Sequence, residues 1–261
     1  MQIAVDPTVH PGLELVLPAP TAGSRVAFSA LEDAVRAAED VGFASVWVRP
    51  APGAPDPCAL AGALVPSTSS IVLGVTAAVP SGRLPSVLAR EVTTLDVVSN
   101  GRAALLLGGG RAEDPDAADR AARRREVAAL CAAMFDQEVT NFDGRFYEVV
   151  DAANRPPPVR PGGPPVLVEV DGAGTPESLE SLDAVVGSGP ASAAERVRRA
   201  VDETAGDPPT LLWRAPATPS GAAARGALSH AGVEGVIWQI DGPLPGPREV
   251  SALGAAVGVG R

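Results

Sequence analysis

Two stretches of the chain could hold an anion. The first is "LLLGGGR", in which Gly108, Gly109 and Gly110 lead to Arg111 at the end of an apolar run. Glycines let backbone approach a ligand closely, and arginine offers a planar fork that matches phosphate. Arg111 could equally pair with Glu113 or Asp114 on the surface. The second is "EVDGAGTPES", where Gly172 and Gly174 would bring backbone N–H groups to an anion and Thr175 adds a hydroxyl. Pro176 would open a helix there, and helix N-termini attract negative charge. An ordinary capped helix start with Thr175 at the N-cap explains the same residues, and Asp171 and Glu177 oppose an anion. A third candidate is Arg49 in "VWVRPAPGAPDP", as a partner for an anionic substrate or an acidic cofactor tail, or for Asp56. Trp47, Trp213 and Trp238 each end a candidate strand, and Trp238 is the best placed of them to stack on a ring, with core packing as the alternative for each.

Composition removes several chemistries. All 21 cations are arginine, so there is no lysine for a Schiff base or a P-loop. Only His10 and His230 are present, which excludes a histidine-rich metal site, and Cys58 and Cys131 have no ligand spacing. No metal is expected. The net charge of −10 argues against nucleic acid as a partner. No apolar run reaches the length of a membrane span, and "MQIAVDPTVHPG" has no basic start followed by an apolar stretch. A soluble cytoplasmic protein is expected. The basic run "RAARRREV" (120–127) reads as the solvated face of a helix.

Positioning these residues takes short β-branched runs alternating with longer alanine-rich amphipathic ones, the pattern of βα units around a parallel sheet. Strands are expected at Leu13–Leu17, Ser45–Val48, Ile71–Val75, Ala103–Leu107, Pro165–Val170, Ala184–Gly187, Thr210–Trp213 and Gly235–Ile240. Helices are expected near 28–41, 56–65, 84–98, 117–135, 176–182, 191–205, 219–231 and 247–257. In the first, Leu31, Ala34, Val35, Ala38 and Val41 recur at helical spacing, Ser29 could cap it, and Gly42 closes it. Eight alternations predict a single-domain α/β fold, a closed (β/α)8 barrel over residues 1–261. An open doubly wound sheet would need a glycine fingerprint after the first strand, which "LVLPAPTAGS" lacks. Residues 136–165 form a long excursion between the fourth helix and fifth strand, with a hairpin turn at Asp143-Gly144 anchored by Phe146 and Tyr147.

Four segments in order resemble the luciferase-like monooxygenase family, barrel enzymes that use FMN or the deazaflavin coenzyme F420. They are "AEDVGFASVWV" (38–48), "IVLGVTAAVPSGRLPSVLAREVTTLDVVSNGRAALLLGGGR" (71–111), "VTNFDGRFYEVVDAANRPPPVRPGGPPVLVE" (139–169) and "AGVEGVIWQI" (231–240). The most diagnostic part is P-x-x-x-A-R-E-x-x-T-L-D-x-x-S-x-G-R within the second. The resemblance implies a barrel, an oxidoreductase or monooxygenase activity on a small organic molecule, and a homodimer. It implies that Arg111 and the turn holding Gly172, Gly174 and Thr175 meet the cofactor phosphate. It also implies that a distortion after strand three supports the ring, where Gly74, Thr76 and Ala77 are small enough for a planar ring; tight packing inside the barrel explains the same small residues.

The pattern breaks after strand two. Family members often follow "W-V" with an acidic residue and histidine; here Arg49 and Pro50 stand in those places. Arginine cannot deprotonate in proteins, so it is no general base. No catalytic residue is assigned. The alternative expectation is a catalytically degenerate barrel that binds a cofactor, or none, as a non-catalytic partner subunit. Arg83, Arg111 and Arg49 could together meet an F420 tail if they converge. FMN and F420 stay equally open.

Overall fold

A computed structural model describes residues 11–17, 28–79, 83–108, 117–170, 182–204 and 208–259. The chain runs β1 (Gly12–Leu17), α1 (Phe28–Val41), β2 (Ser45–Pro50), α2 (Pro57–Leu64), β3 (Val72–Ala78), α3 (Pro85–Ser99), β4 (Ala103–Gly108) and α4 (Ala117–Asp136). A hairpin follows, β5 (Val139–Asp143) and β6 (Glu148–Ala153), then β7 (Val166–Glu169), β8 (Ala184–Ser188), α5 (Ala191–Asp202), β9 (Thr210–Pro216), α6 (Pro219–His230), β10 (Gly235–Ile240) and α7 (Pro247–Val257). Eight strands close a parallel barrel in the order β1-β2-β3-β4-β7-β8-β9-β10, with β10 pairing back onto β1. This is the expected (β/α)8 barrel. The helix expected at 176–182 lies outside the described residues but for its last position.

Both faces of the sheet are buried, as a barrel requires. Outside it, one apolar layer joins the strands to the helices, with Leu13, Val46, Leu73, Trp213 and Trp238 meeting Leu31, Val92, Leu130 and Val197. Inside it, a separate apolar cluster of Trp47, Val72, Ala104, Leu106, Leu167, Ala184, Val186, Leu212 and Ile237 fills the lumen. Trp47 is the largest of these, and its indole Nε1 donates to Ser45 Oγ at 2.9 Å. A Cβ on Gly74 would stand 2.2 Å from the Trp47 ring, so the ring that Gly74 admits is this indole.

Local chemistry sets the element ends. Gly42, at φ 99°, takes up the carbonyls of Ala38 and Glu39 and closes α1. Ser29 does not cap that helix, which already begins at Phe28. The diagnostic motif builds the amino end of β4. Asn100 and Gly101 turn at φ 59° and 82°, and Ser99 Oγ accepts from Arg102 N at 3.1 Å. Arg102 Nη1 then donates to Thr68 Oγ1 and Ile71 O, both at 2.9 Å. Fully buried Asp96 accepts Val159 N at 2.8 Å, which ties the proline-rich segment under the barrel. The carboxyl-terminal half of the motif, Asp96 to Arg102, thus braces the face opposite the carboxyl ends of the strands.

The hairpin exists, but its link is 144–147 rather than a two-residue turn, closed by Gly144 N to Tyr147 O at 2.9 Å. Glu126 on α4 accepts the N–H groups of Phe146 and Tyr147 at 2.8 and 2.6 Å, and Arg123 covers the Phe146 ring at 4.2 Å. The basic helix is therefore not wholly a solvated face. Arg124 is buried and donates Nη1 to Glu169 O at 2.7 Å.

Candidate functional site

Strand alternation delivers one ionisable residue from each of four strands to the carboxyl end of the lumen. Glu14 comes from β1, Arg49 from β2, Glu169 from β7 and Arg214 from β9; Thr76 of β3 joins them. Arg49 Nε donates to Glu14 Oε1 at 3.0 Å, and Arg49 Nη2 to Glu169 Oε2 at 3.3 Å. Arg214 Nη1 reaches Glu169 Oε1 at 2.5 Å, and Nη2 reaches Glu14 Oε1 at 3.3 Å. Arg214 Nε also lies 2.8 Å from Glu14 Oε2, an ion-pair contact too bent to be a hydrogen bond. Thr76 Oγ1 stands 3.5 Å from Glu14 Oε1. Each guanidinium bridges both carboxylates, so the four form a closed, charge-balanced ring.

Burial grades outward. The Glu14 side chain is 0% exposed, Arg214 6%, Glu169 14% and Arg49 19%. A buried charge is tolerated only when paired and hydrogen-bonded, which the ring achieves. Burial alone would lower the Arg49 pKa, but the Glu14 and Glu169 carboxylates more than offset it and raise it above the ordinary arginine value. Arg49 therefore serves as a fixed cation and not as a proton carrier.

The sequence candidates separate in space. Arg49 and Thr76 reach the lumen's carboxyl end. Ala77 is next in β3 and points outward into the helix-facing layer, so its side chain cannot touch a ligand in the lumen. Trp238 is also turned outward and 1% exposed, because Gln239 and Ile237 take the inward positions of β10. It borders a cavity of about 150 Å3 with Pro11, Leu228 and Val233, by the amino ends of β1 and β10. Ring stacking by Trp238 at the ligand end is corrected accordingly. Trp213 too faces outward, with Nε1 donating to Gly189 O at 3.0 Å. Arg49 does not pair with Asp56. That carboxylate caps α2 through Ala59 N and is bonded to Arg83, which also meets Glu91 at 2.8 Å. Arg83 is thereby held between α2 and α3. Arg111, Gly172, Gly174, Thr175 and His10 lie outside the described residues.

Sequence reasoning missed Glu14, Glu169 and Arg214. Each is the lone charge in an apolar strand, "GLELVL", "VLVE" and "TLLWRAP", and that is the signal that would have found them. Of the glycine run, Gly108 makes room for the ring, since a Cβ there would fall 2.1 Å from Glu169 Oε2. Among the described residues no cluster of His, Cys, Asp or Glu could hold a metal ion.

A closed parallel barrel with its polar side chains gathered at the carboxyl ends of the strands places the molecule among the (β/α)8 barrels that bind ligands on that face. The profile of the luciferase-like monooxygenase family matches residues 13–206, and the chain belongs to that family. An F420-dependent glucose-6-phosphate dehydrogenase of Amycolatopsis mediterranei is 34% identical over 169 residues, 55% of this chain and 50% of that protein. A namesake of Beutenbergia cavernae is 33% identical over 132 residues, 44% of this chain and 39% of that one. The chain spans about half the length, or less, of these curated relatives. Among solved structures, an F420-dependent secondary alcohol dehydrogenase bound to an F420–acetone adduct superposes with a TM-score of 0.75 at 14% identity, covering 97% of this chain and 99% of that one. A monooxygenase from Streptomyces bottropensis gives 0.70 at 15% identity, covering 95% and 97%. At such identity these show the fold.

The lumen's end fits the polar edge of a flavin-type ring, which carries carbonyl oxygens and ring nitrogens, with the Thr76 hydroxyl, itself directed at Glu14, standing beside it. Arg49 keeps N–H groups that neither glutamate engages, available to a second ligand next to the ring.

Proposed function

We propose that the protein is a deazaflavin- or flavin-dependent oxidoreductase acting on a small organic molecule. The observation that carries this reading is the polar ring of Glu14, Arg49, Glu169 and Arg214 at the carboxyl end of a luciferase-like barrel. The cofactor, F420 or FMN, supplies the hydride chemistry when bound. Thr76 would meet its ring, with Ala77 contributing backbone only, and Arg111, Gly172, Gly174 and Thr175 would hold its phosphate. Arg49 would meet the substrate. The curated relatives named for F420 favour that cofactor, and FMN is the alternative.

The test is a fluorescence titration of the pure protein with FMN and with F420. Binding of either in the micromolar range is expected, and failure of both below roughly millimolar levels defeats the reading.

A second reading, a non-catalytic barrel that serves a partner subunit, is favoured by one observation. Arg49 and Pro50 replace the acid and histidine, and the charged groups facing the lumen's end are paired with one another. Co-purification of a homologous partner that alone carries cofactor would establish it. A homodimer is supported by exposed apolar side chains on and beside α3, Leu84 at 66%, Val87 at 43% and Val98 at 55%, with the exposed Arg90 among them. Sedimentation velocity would show a single species of twice the chain mass. No helix among the described residues is long and apolar enough to cross a membrane, and the free, buried thiols of Cys58 and Cys131 favour a cytoplasmic setting.

A further inference from the structure

Arg49 is the one member of the charged ring that presents donors outward. A guanidinium has five N–H donors. Nε is engaged by Glu14 and Nη2 by Glu169, which leaves Nη1 with no partner among the described residues. The side chain is the most exposed of the four. Glu14, wholly buried, and Glu169 grip the guanidinium from two sides, and Arg214 grips both carboxylates from behind. An arginine on a free stem would have to be ordered by its ligand; this one is ordered beforehand, which lowers the cost of binding.

We propose that Arg49 takes an sp2 oxygen of the substrate, a carboxylate or a carbonyl, through its Nη1 edge, with Glu14 as the residue that positions it. This rests on the oxidoreductase reading and narrows the substrate class to organic acids and carbonyl compounds. Hydrocarbon is excluded from contact with the ring, because an apolar group laid over Arg49 would strip water from its open donors and return no hydrogen bond. The charge balance matters here. Arg49 and Arg214 are offset by Glu14 and Glu169, so the ring meets a neutral carbonyl oxygen without a prior counter-ion. It strengthens its hold if that oxygen gains negative charge as hydride is delivered to the carbon beside it.

The experiment uses the whole chain and two probes, benzoate and benzamide, followed at the Arg49 Nε–H resonance in 15N-edited NMR, which the variant Arg49→Lys assigns by its loss; the variant's own affinity is read by saturation transfer to the probe. Both probes are expected to move that resonance, and Arg49→Lys is expected to weaken binding by at least about tenfold, the loss of a charge-assisted hydrogen bond. Glu14→Gln keeps an acceptor for Nε, so it should retain binding while displacing the free-state resonance. A response to benzoate alone assigns the site to oxyanions, and a response to both assigns it to carbonyl oxygen in general; each supports the proposal. No movement with either probe up to about 10 mM, or unchanged affinity in Arg49→Lys, overturns it. Should FMN and F420 fail to bind while benzoate moves Arg49, the cofactor reading falls and the oxygen site stands. The reverse result removes the oxygen site and leaves the cofactor reading.

Discussion

Gly108 and Glu169 occupy neighbouring strands so closely that a single methyl group on the glycine would fall 2.1 Å from the glutamate's Oε2. The contact links the end of β4 to the charged ring: without a side chain at 108, the Glu169 carboxylate lies flat against the strand and reaches both Arg49 and Arg214. Gly108→Ala should therefore cost about 1–3 kcal/mol, the range for overpacking a closed interior. Gly62 provides the contrast. It sits inside α2, and a methyl group added there would meet nothing within 4 Å, so Gly62→Ala should gain up to about 1 kcal/mol from helix propensity. Urea unfolding of the two variants checks both signs.

The ring itself predicts an asymmetry between single and paired substitutions. Glu14→Leu leaves Arg49 and Arg214 buried with one carboxylate between them, and breaking a buried pair from one side costs about 3–5 kcal/mol. Glu14→Leu combined with Arg214→Met removes one charge of each sign and leaves Arg49 with Glu169. The double variant should recover more than half of the loss. Denaturant midpoints for the two singles and the double give the coupling energy; simple additivity of the singles would show that the four charges do not act as a unit.

The fold was legible because strands and helices alternate with different hydrophobic periods. All eight barrel strands lie within a few residues of their sequence-based bounds. What was not legible was direction. Barrel strands are buried on both faces, so an apolar run does not tell which side chains enter the lumen. Trp47 and Trp238 look alike in sequence, yet Trp47 fills the lumen and Trp238 faces the helices. The same ambiguity hid the site. Glu14, Arg49, Glu169 and Arg214 lie up to 200 positions apart, and only the closure of β10 onto β1 brings them together. Two acids and two bases, each alone in an apolar strand, were nonetheless a signal, since a charge in such a place needs a partner. Of the glycine run only Gly108 is among the described residues, and the space it makes is filled by the protein's own carboxylate.

Both thiols should be inert in the folded protein. Burial pushes Cys131 up to about 12, and burial together with the Glu91 carboxylate pushes Cys58 up to about 12. The thiolate is the reactive form, so at pH 8 neither should react with a disulfide reagent on the scale of minutes. After unfolding in guanidinium both should titrate at once, giving two equivalents. Rapid labelling of native protein would contradict the packing of α2 and α4 around these residues.

Acid should loosen the amino end of the barrel through one carboxylate. Glu39, near the end of α1, accepts the N–H groups of Ser69, Ser70 and Ile71 at 3.0, 2.5 and 2.8 Å, and the Ser70 hydroxyl at 2.9 Å. Burial pushes its pKa up, but the bonds from Ser70, Ile71 and Ser69 outweigh this and hold it down at about 2, against an ordinary 4.5. Because the folded value lies below the unfolded one, its contribution is complete above pH 4.5 and declines as pH falls toward about 2. Much of the group faces solvent, so screening limits the effect to about 1 kcal/mol. Glu39→Gln should thus lower stability near pH 7 by about that amount and lose its difference from the unsubstituted protein as acid is added. Thermal unfolding of both proteins between pH 7 and pH 3 makes the comparison, and two curves that stay parallel across that range would show that Glu39 does not hold the turn leading into β3.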